Sequence, residues 1–205
     1  MKTVPWFVRL IYPRRVMWRV NTKERMLYLT FDDGPVPGVT PQVLEILDRY
    51  DVKATFFMVG ENAARYPELT TMVADRGHAL GNHSHNHLKG WKTPDNEYYA
   101  NIEKAAKHIP SKLFRPPHGQ LRPRQAKRLI KDYNVVMWTV LSGDYRSDTS
   151  PEQCAKRVIS KFGKGAIMVF HDSLKARENM LPSLEQTIKA AKAGGWRFGI
   201  LGEER

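Results

Sequence analysis

The stretch Leu29-Thr30-Phe31-Asp32-Asp33-Gly34-Pro35 closes an apolar run that begins at Met26. The run reads as a buried strand, and the Gly-Pro pair as its stop. It ends on two adjacent carboxylates. Neighbouring anions repel, and burying either is costly unless something positive compensates. A metal ion or a strong cation is therefore expected beside Asp32 and Asp33. Taken alone, the same residues also suit an Asx-type turn in which one Asp caps the next segment.

Working outward, Thr40-Pro41 opens a helix to about Tyr50, with Pro at the first helical position. Residues 54–59 form a second strand, ended by Gly60. A helix over 67–76 stops at Gly77, and a short strand over 78–81 follows. Then comes Asn82-His83-Ser84-His85-Asn86-His87. His83 and His87 are four positions apart, so one helical turn would set both imidazoles on one face, a spacing used for metal ligation. His85 suits the surface or a supporting place. A polar loop with incidental histidines is the plainer alternative.

Asp95 N-caps a helix to about His108. Arg115 follows the short strand Leu113–Phe114 and supplies the cation that the Asp pair requires. Pro116 and Pro117 stiffen the next backbone and Gly119 lets it turn, a loop able to aim an amide N–H into a cleft. After a basic helix over 123–131, a fifth strand over 135–141 exits through Ser142-Gly143-Asp144-Tyr145. Ser150-Pro151-Glu152-Gln153 is a capping box. A sixth strand over 165–170 ends at His171-Asp172-Ser173. A last helix over 179–193 and a seventh strand over 197–201 complete the chain.

Strands alternating with helices predict a parallel α/β arrangement. In a β/α barrel the strand ends converge on one face. Asp32 and Asp33, His83 and His87, Arg115, Asp144 and His171 would thus reach one cleft from five loops. One Asp and two His make a three-ligand site with open positions, the pattern of a catalytic metal. Zinc there would bring a bound water's pKa to about 7, the second Asp could act as base, and a histidine opposite could protonate a leaving group. That chemistry is hydrolysis of an amide or ester. Successive strand residues face opposite sides, so both acids share the cleft only if the backbone is already turning there.

Composition sets the bounds. At 205 residues and 41% hydrophobic content, one domain with a sizeable core is expected. No apolar run approaches the ~20 residues of a membrane span. A single cysteine, Cys154, excludes an internal disulfide framework and a cysteine-based zinc site. The net charge of +12 attracts polyanions, but the basic residues are scattered and no nucleic-acid motif accompanies them. Residues 1–24 read as a separate basic, aromatic segment ahead of a catalytic domain over 25–205. Trp6, Phe7, Leu10 and Trp18 are mixed there with Arg9, Arg14 and Arg15, and Arg9 and Pro13 interrupt any signal-peptide core. The segment is expected to pack across the barrel or to touch an anionic membrane. A cytoplasmic or peripheral-membrane location follows as the expectation.

Thr30-Phe31-Asp32-Asp33-Gly34, His83-Ser84-His85-Asn86-His87, Arg115-Pro116-Pro117 and Val169-Phe170-His171-Asp172 occur in the order of the motifs of the polysaccharide deacetylases of the NodB-homology type, carbohydrate esterase family 4. The chain resembles that family from about Leu27 to Leu201. The resemblance implies an irregular (β/α)7 barrel and removal of N-acetyl groups from an N-acetylated amino sugar or glycan with a divalent ion, zinc first and cobalt or nickel as alternatives. It implies Asp33, His83 and His87 as metal ligands, Asp32 as general base partnered by Arg115, and His171 as general acid partnered by Asp144. His118 would offer its backbone N–H to the oxyanion, and Tyr145 and Val169 would border the acyl pocket. Three of the motifs depart from the family pattern, at four positions. Leu141 and Tyr145 stand where an acid and a Trp are usual, His118 replaces a Tyr, and Val169 replaces a Leu. Hydrolysis of another amide, or glycan binding without catalysis, remain as alternatives.

Overall fold

The computed structural model describes residues 6–202, without the side chains of Trp6, Phe7 and Val8, so that part of the N-terminal expectation lies outside the described residues. A parallel sheet curls through the molecule in the order β5-β4-β3-β2-β1-β7-β6. Its strands are β1 (Met26–Asp32), β2 (Thr55–Met58), β3 (Ala79–Asn82), β4 (Leu113–Phe114), β5 (Asn134–Val135), β6 (Val140–Leu141) and β7 (Ala166–His171). A short β8 (Arg197–Phe198) pairs with the beginning of β1. Helices α1 (Thr40–Arg49), α2 (Gly60–Arg65), α3 (Pro67–Asp75), α4 (Asp95–Ala106), α5 (Pro123–Leu129), α6 (Pro151–Ile159) and α7 (Arg177–Ala193) connect the strands. This is the α/β barrel expected, curled but irregular.

Strand alternation sorts the core into two layers. Leu27, Leu29 and Phe31 of β1 pack outward with Phe56, Met168 and Phe170 against Leu44, Leu184 and Ile188 of the helices. Tyr28 faces inward with Phe57, Phe114, Ile167 and Val169. Burial on both faces explains why β1 and β7 are nearly continuous apolar runs. By the same alternation Thr30 and Asp32 lie on the inner face.

Three elements depart from expectation. The predicted fifth strand is broken into β5 and β6. The N-terminal segment is the physical reason: Met17 pairs in parallel with Val136, donating to Val135 O at 2.8 Å and accepting from Met137 N at 2.7 Å. Val20 N adds a bond to Gly165 O at 2.9 Å. The segment thus bridges the gap between the two sheet edges, and Tyr12, Val16 and Val20 are buried in the inner core. The second departure is at Gly60, which opens α2 rather than only ending β2. Its N–H and that of Glu61 donate to Ser84 O and His85 O, both at 2.9 Å, so loop carbonyls satisfy the first turn of the helix. Asp95 begins α4 but does not cap it; its carboxylate accepts from Arg122 and Gln125 instead.

Candidate active site

The cleft lies at the C-terminal ends of the strands and has a volume of about 710 Å³. Asp32, Asp33, His83, His87, His118, Tyr145 and His171 line it. Asp32 and His171 are register partners on the adjacent strands β1 and β7, so their proximity is set by the sheet.

The turn after β1 resolves how two consecutive acids share one cleft. Asp33 has φ +82°, which breaks the strand alternation and brings its side chain back to the side of Asp32. Backbone strain concentrates here: Ser84 (φ +62°), His87 (φ +55°) and His118 (φ +57°) are also left-handed, and Asp51 is the one remaining non-glycine case among the described residues. The histidine segment is therefore a loop and not the helical turn expected from its spacing. Asn82 Oδ1 accepts from Ser84 N at 2.8 Å, and Asn101 Oδ1 accepts from His85 N and Asn86 N. These side-chain bonds and two left-handed residues, not a helix, point His83 and His87 the same way. His85 turns aside and stacks against His108 at 6.1 Å between ring centres.

Asp33 Oδ1 lies 3.1 Å from His87 Nε2 and 3.7 Å from His83 Nε2. One donor atom from each of the three lies within 4.8 Å of the others. The chemistry of the set fits a divalent ion. His83 Nδ1 donates to Arg115 O at 2.8 Å, which fixes the tautomer and leaves Nε2 with its lone pair toward Asp33. Burial lowers the His83 pKa to about 4, so the imidazole is neutral, as a ligand must be. Burial alone would raise the Asp33 carboxyl, but the His87 hydrogen bond and the charge of His171 hold it well below the usual range.

Beneath Asp32, Arg115 is fully buried. Its Nη1 donates to Asp32 Oδ1 at 2.6 Å and to Thr30 Oγ1 at 2.7 Å, and its Nη2 donates to Met137 O at 3.1 Å. The guanidinium carbon sits 4.0 Å over the Phe57 ring. Arg115 is thus the cation that the acid pair demanded, on the inner column of Thr30 and Asp32. On the adjacent strand β7, His171 Nδ1 lies 2.8 Å from Asp144 Oδ1, while His171 N donates to Asp144 Oδ2 at 2.8 Å. Burial works against the charged imidazole, but Asp144 overrides it, with Asp33 and Asp32 adding to the effect, and lifts the His171 pKa to about 9. Tyr145 meets the His171 ring edge-on at 4.9 Å.

The positions that depart from the motif pattern separate. The His118 ring faces the cleft 4.5 Å from the His87 ring, with burial lowering its pKa to about 4. Val169 does not reach the cleft. It is fully buried in the inner core, and Leu141, its register partner on β6, lines the cleft instead.

Several residues were missed at the sequence level. Tyr12 and Trp18 of the N-terminal segment, with Trp91 and Trp138, supply aromatic walls. Gly119 lies flat on Trp138: a Cβ there would come within 2.4 Å of the ring. Asp172 was read only as part of a strand stop. It is buried, accepts from Gly34 N at 3.1 Å and Thr40 Oγ1 at 2.6 Å, and its own N–H donates to Asp32 O at 3.1 Å. It therefore ties the exits of β1 and β7 together. A Cβ on Gly34 would overlap the Asp172 carboxylate at 2.0 Å, which is why glycine stands there. A buried acid beside a site histidine was the available signal, since it must find donors.

The fold and its strand-end residues define a class. The chain belongs to the polysaccharide deacetylase family, whose sequence profile matches residues 19–138. It is 33% identical over 196 residues to a peptidoglycan-N-acetylglucosamine deacetylase of Bacillus cereus, with 92% of each chain covered. It is 29% identical to a chitooligosaccharide deacetylase of Azorhizobium caulinodans, over 87% of this chain and 93% of that one. The crystal structure of the Bc1960 peptidoglycan N-acetylglucosamine deacetylase in complex with 4-naphthalen-1-yl-N-oxidanyl-benzamide matches with a TM-score of 0.90 at 27% identity, over 98% of this chain and 96% of that one.

Proposed function

We propose that the protein removes N-acetyl groups from N-acetylglucosamine units of a peptidoglycan-like glycan, using a zinc ion held by Asp33, His83 and His87. The observation that carries this reading is the register pairing of Asp32 with His171 beside that ligand set, each backed by its own buried counter-charge. The names of the relatives above direct the choice of sugar. Bound there, zinc supplies Lewis acidity to the attacking water and to the amide oxygen.

The chain's own residues do the rest. Asp32 takes the proton from the attacking water, with Arg115 compensating its charge and fixing its direction. His171 enters the reaction protonated because of Asp144 and gives its proton to the departing amine. His118, on the cleft wall, is assigned to the developing oxyanion through its backbone N–H. Leu141, Trp138 and Tyr145 shield this region from water and bound the acyl group.

Metal analysis of the purified protein, coupled to acetate release from N-acetylglucosamine oligomers and from peptidoglycan, tests the reading. Zinc at one equivalent is expected, with activity lost to a chelator and restored by zinc. A zinc-loaded protein that frees no acetate from either glycan would overturn it and leave another amide as the substrate or binding as the role.

A further inference from the structure

The described residues expose five large apolar side chains: Leu10 (73%), Leu174 (71%), Ile11 (60%), Trp91 (56%) and Tyr145 (36%). Single exposed apolar residues are ordinary on protein surfaces. The placement of these five is not. Trp91 and Tyr145 line the catalytic cleft, Leu174 stands between the lining residues Ser173 and Lys175, and Leu10-Ile11 lead directly into the lining residue Tyr12. They come from four separate segments, and each one either lines the cleft or stands close to a lining residue in the chain.

Bases accompany them. Arg14 and Arg15 are exposed just after Leu10-Ile11, Lys92 follows Trp91, and Lys175 follows Leu174, all exposed. Arg146 follows Tyr145, though it is paired with Asp148. The whole chain carries a net charge of +12. Protruding aliphatic side chains interleaved with cations call for a partner that is apolar a few ångströms below an anionic surface. A glycan offers ring faces to Trp91 and Tyr145, but no apolar volume for Leu10, Ile11 and Leu174. An anionic bilayer offers acyl chains to the aliphatic residues, headgroups to the bases and an interface suited to Trp. No helix among the described residues is long and apolar enough to cross a membrane, so the contact is peripheral.

We propose that the mouth of the cleft docks on an anionic lipid bilayer, with Leu10, Ile11 and Leu174 entering the interface and Arg14, Arg15, Lys92 and Lys175 meeting the headgroups. The active site then opens toward the membrane, and its glycan is taken at that surface. This last consequence rests on the deacetylase reading; the docking does not.

Co-sedimentation of the full chain with vesicles is the test. Partition onto phosphatidylglycerol–phosphatidylcholine vesicles is expected, with little onto phosphatidylcholine alone and release at high salt. Leu10→Asp with Ile11→Asp, and separately Leu174→Asp, should weaken partition by about tenfold or more. Their melting temperature and their turnover of soluble N-acetylglucosamine oligomers without vesicles should stay unchanged. The proposal is overturned if the wild type ignores anionic vesicles, if it binds neutral ones equally, or if the aspartate variants bind as well as wild type. Retention on polyglutamate without vesicle binding would assign the face to an anionic polymer. A dimer dissociated by the same substitutions would assign it to a second copy. Vesicle binding by a protein that frees no acetate would keep the docking and discard the deacetylase reading.

Discussion

Two buried acid–base pairs back the cleft side by side, one through β1 and one through β7, and they differ in one respect. Asp32 is paired with an arginine, Asp144 with a histidine. A guanidinium does not give up its proton in a protein, so Arg115 itself stays charged at any working pH. An imidazole does, and Asp144 moves its titration from about 6.5 to about 9. The partner therefore decides the role. In the proposed reaction Asp32, beside Arg115, is the base, and His171, beside Asp144, the acid. The order of exposure agrees, since Arg115 and Asp144 are wholly buried behind the residues that line the cleft.

The largest break in this comparison comes from removing the acceptor. Asp32→Asn is expected to cut acetate release by roughly 10³-fold, within the range of acid–base catalysis, while zinc content by metal analysis stays at wild-type level. Arg115→Met should cost both activity and about 3–5 kcal/mol of stability in urea unfolding, because it strands a buried carboxylate. Adding Asp32→Leu to that variant should recover most of the stability and none of the turnover. Recovery of activity in the double variant would show that the pair is structural only.

The second pair breaks through pH. Asp144→Asn removes the main influence that raises His171 and leaves only the charges of Asp33 and Asp32 to oppose burial, so its pKa falls from about 9. The alkaline limb of kcat/KM should move to lower pH, with about 10–100-fold less activity at pH 8. Stability gives an independent reading in metal-free protein. The folded-state pKa of His171 is raised, so its contribution is fully present below about 6.5, the unfolded value, and is lost as pH rises through about 9. Urea midpoints of the wild type should fall across that window, and those of Asp144→Asn should be flatter. Equal pH slopes for the two proteins would remove Asp144 as the cause.

What could be read from the sequence was whatever conflicts with burial. Charged residues at the ends of apolar runs must be paired, so Asp32, Asp33, Arg115, Asp144 and His171 stood out, as did the alternation that gives the barrel. Geometry carried by individual backbone angles was not visible. The left-handed conformations of Asp33, Ser84 and His87 replace the helical turn that the His spacing suggested. Nor was the N-terminal segment legible as part of the site. Its aromatic and basic residues follow no strand or helix period, and their place is set by a gap between β5 and β6 that arises only when the sheet curls. Val169 was misplaced for a related reason: which of two register partners meets the cleft depends on the sheet's curvature, and here it is Leu141.

The smallest effect concerns the acid that belongs to neither pair. Asp172 touches no cleft volume, yet it anchors the Gly34 N–H and the Thr40 hydroxyl, and Thr40 in turn accepts from Val36 N at 2.8 Å. Through Gly34 it fixes the turn that aims Asp33. Asn in its place keeps one acceptor oxygen for Gly34 but puts an NH₂ group where the Thr40 hydroxyl donates, so that hydroxyl loses its acceptor. The turn should loosen without unfolding, so zinc affinity, measured by chelator competition, should fall by about 10-fold, as for other groups that hold a ligand in place. Thr40→Val removes the second anchor alone and should weaken zinc by less. If Asp172 acts only on Asp33, saturating zinc restores kcat in Asp172→Asn and leaves the pH profile where His171 and Asp144 set it. A shifted profile at saturating zinc would instead couple Asp172 to its neighbour His171, and the two sides of the cleft would no longer be independent.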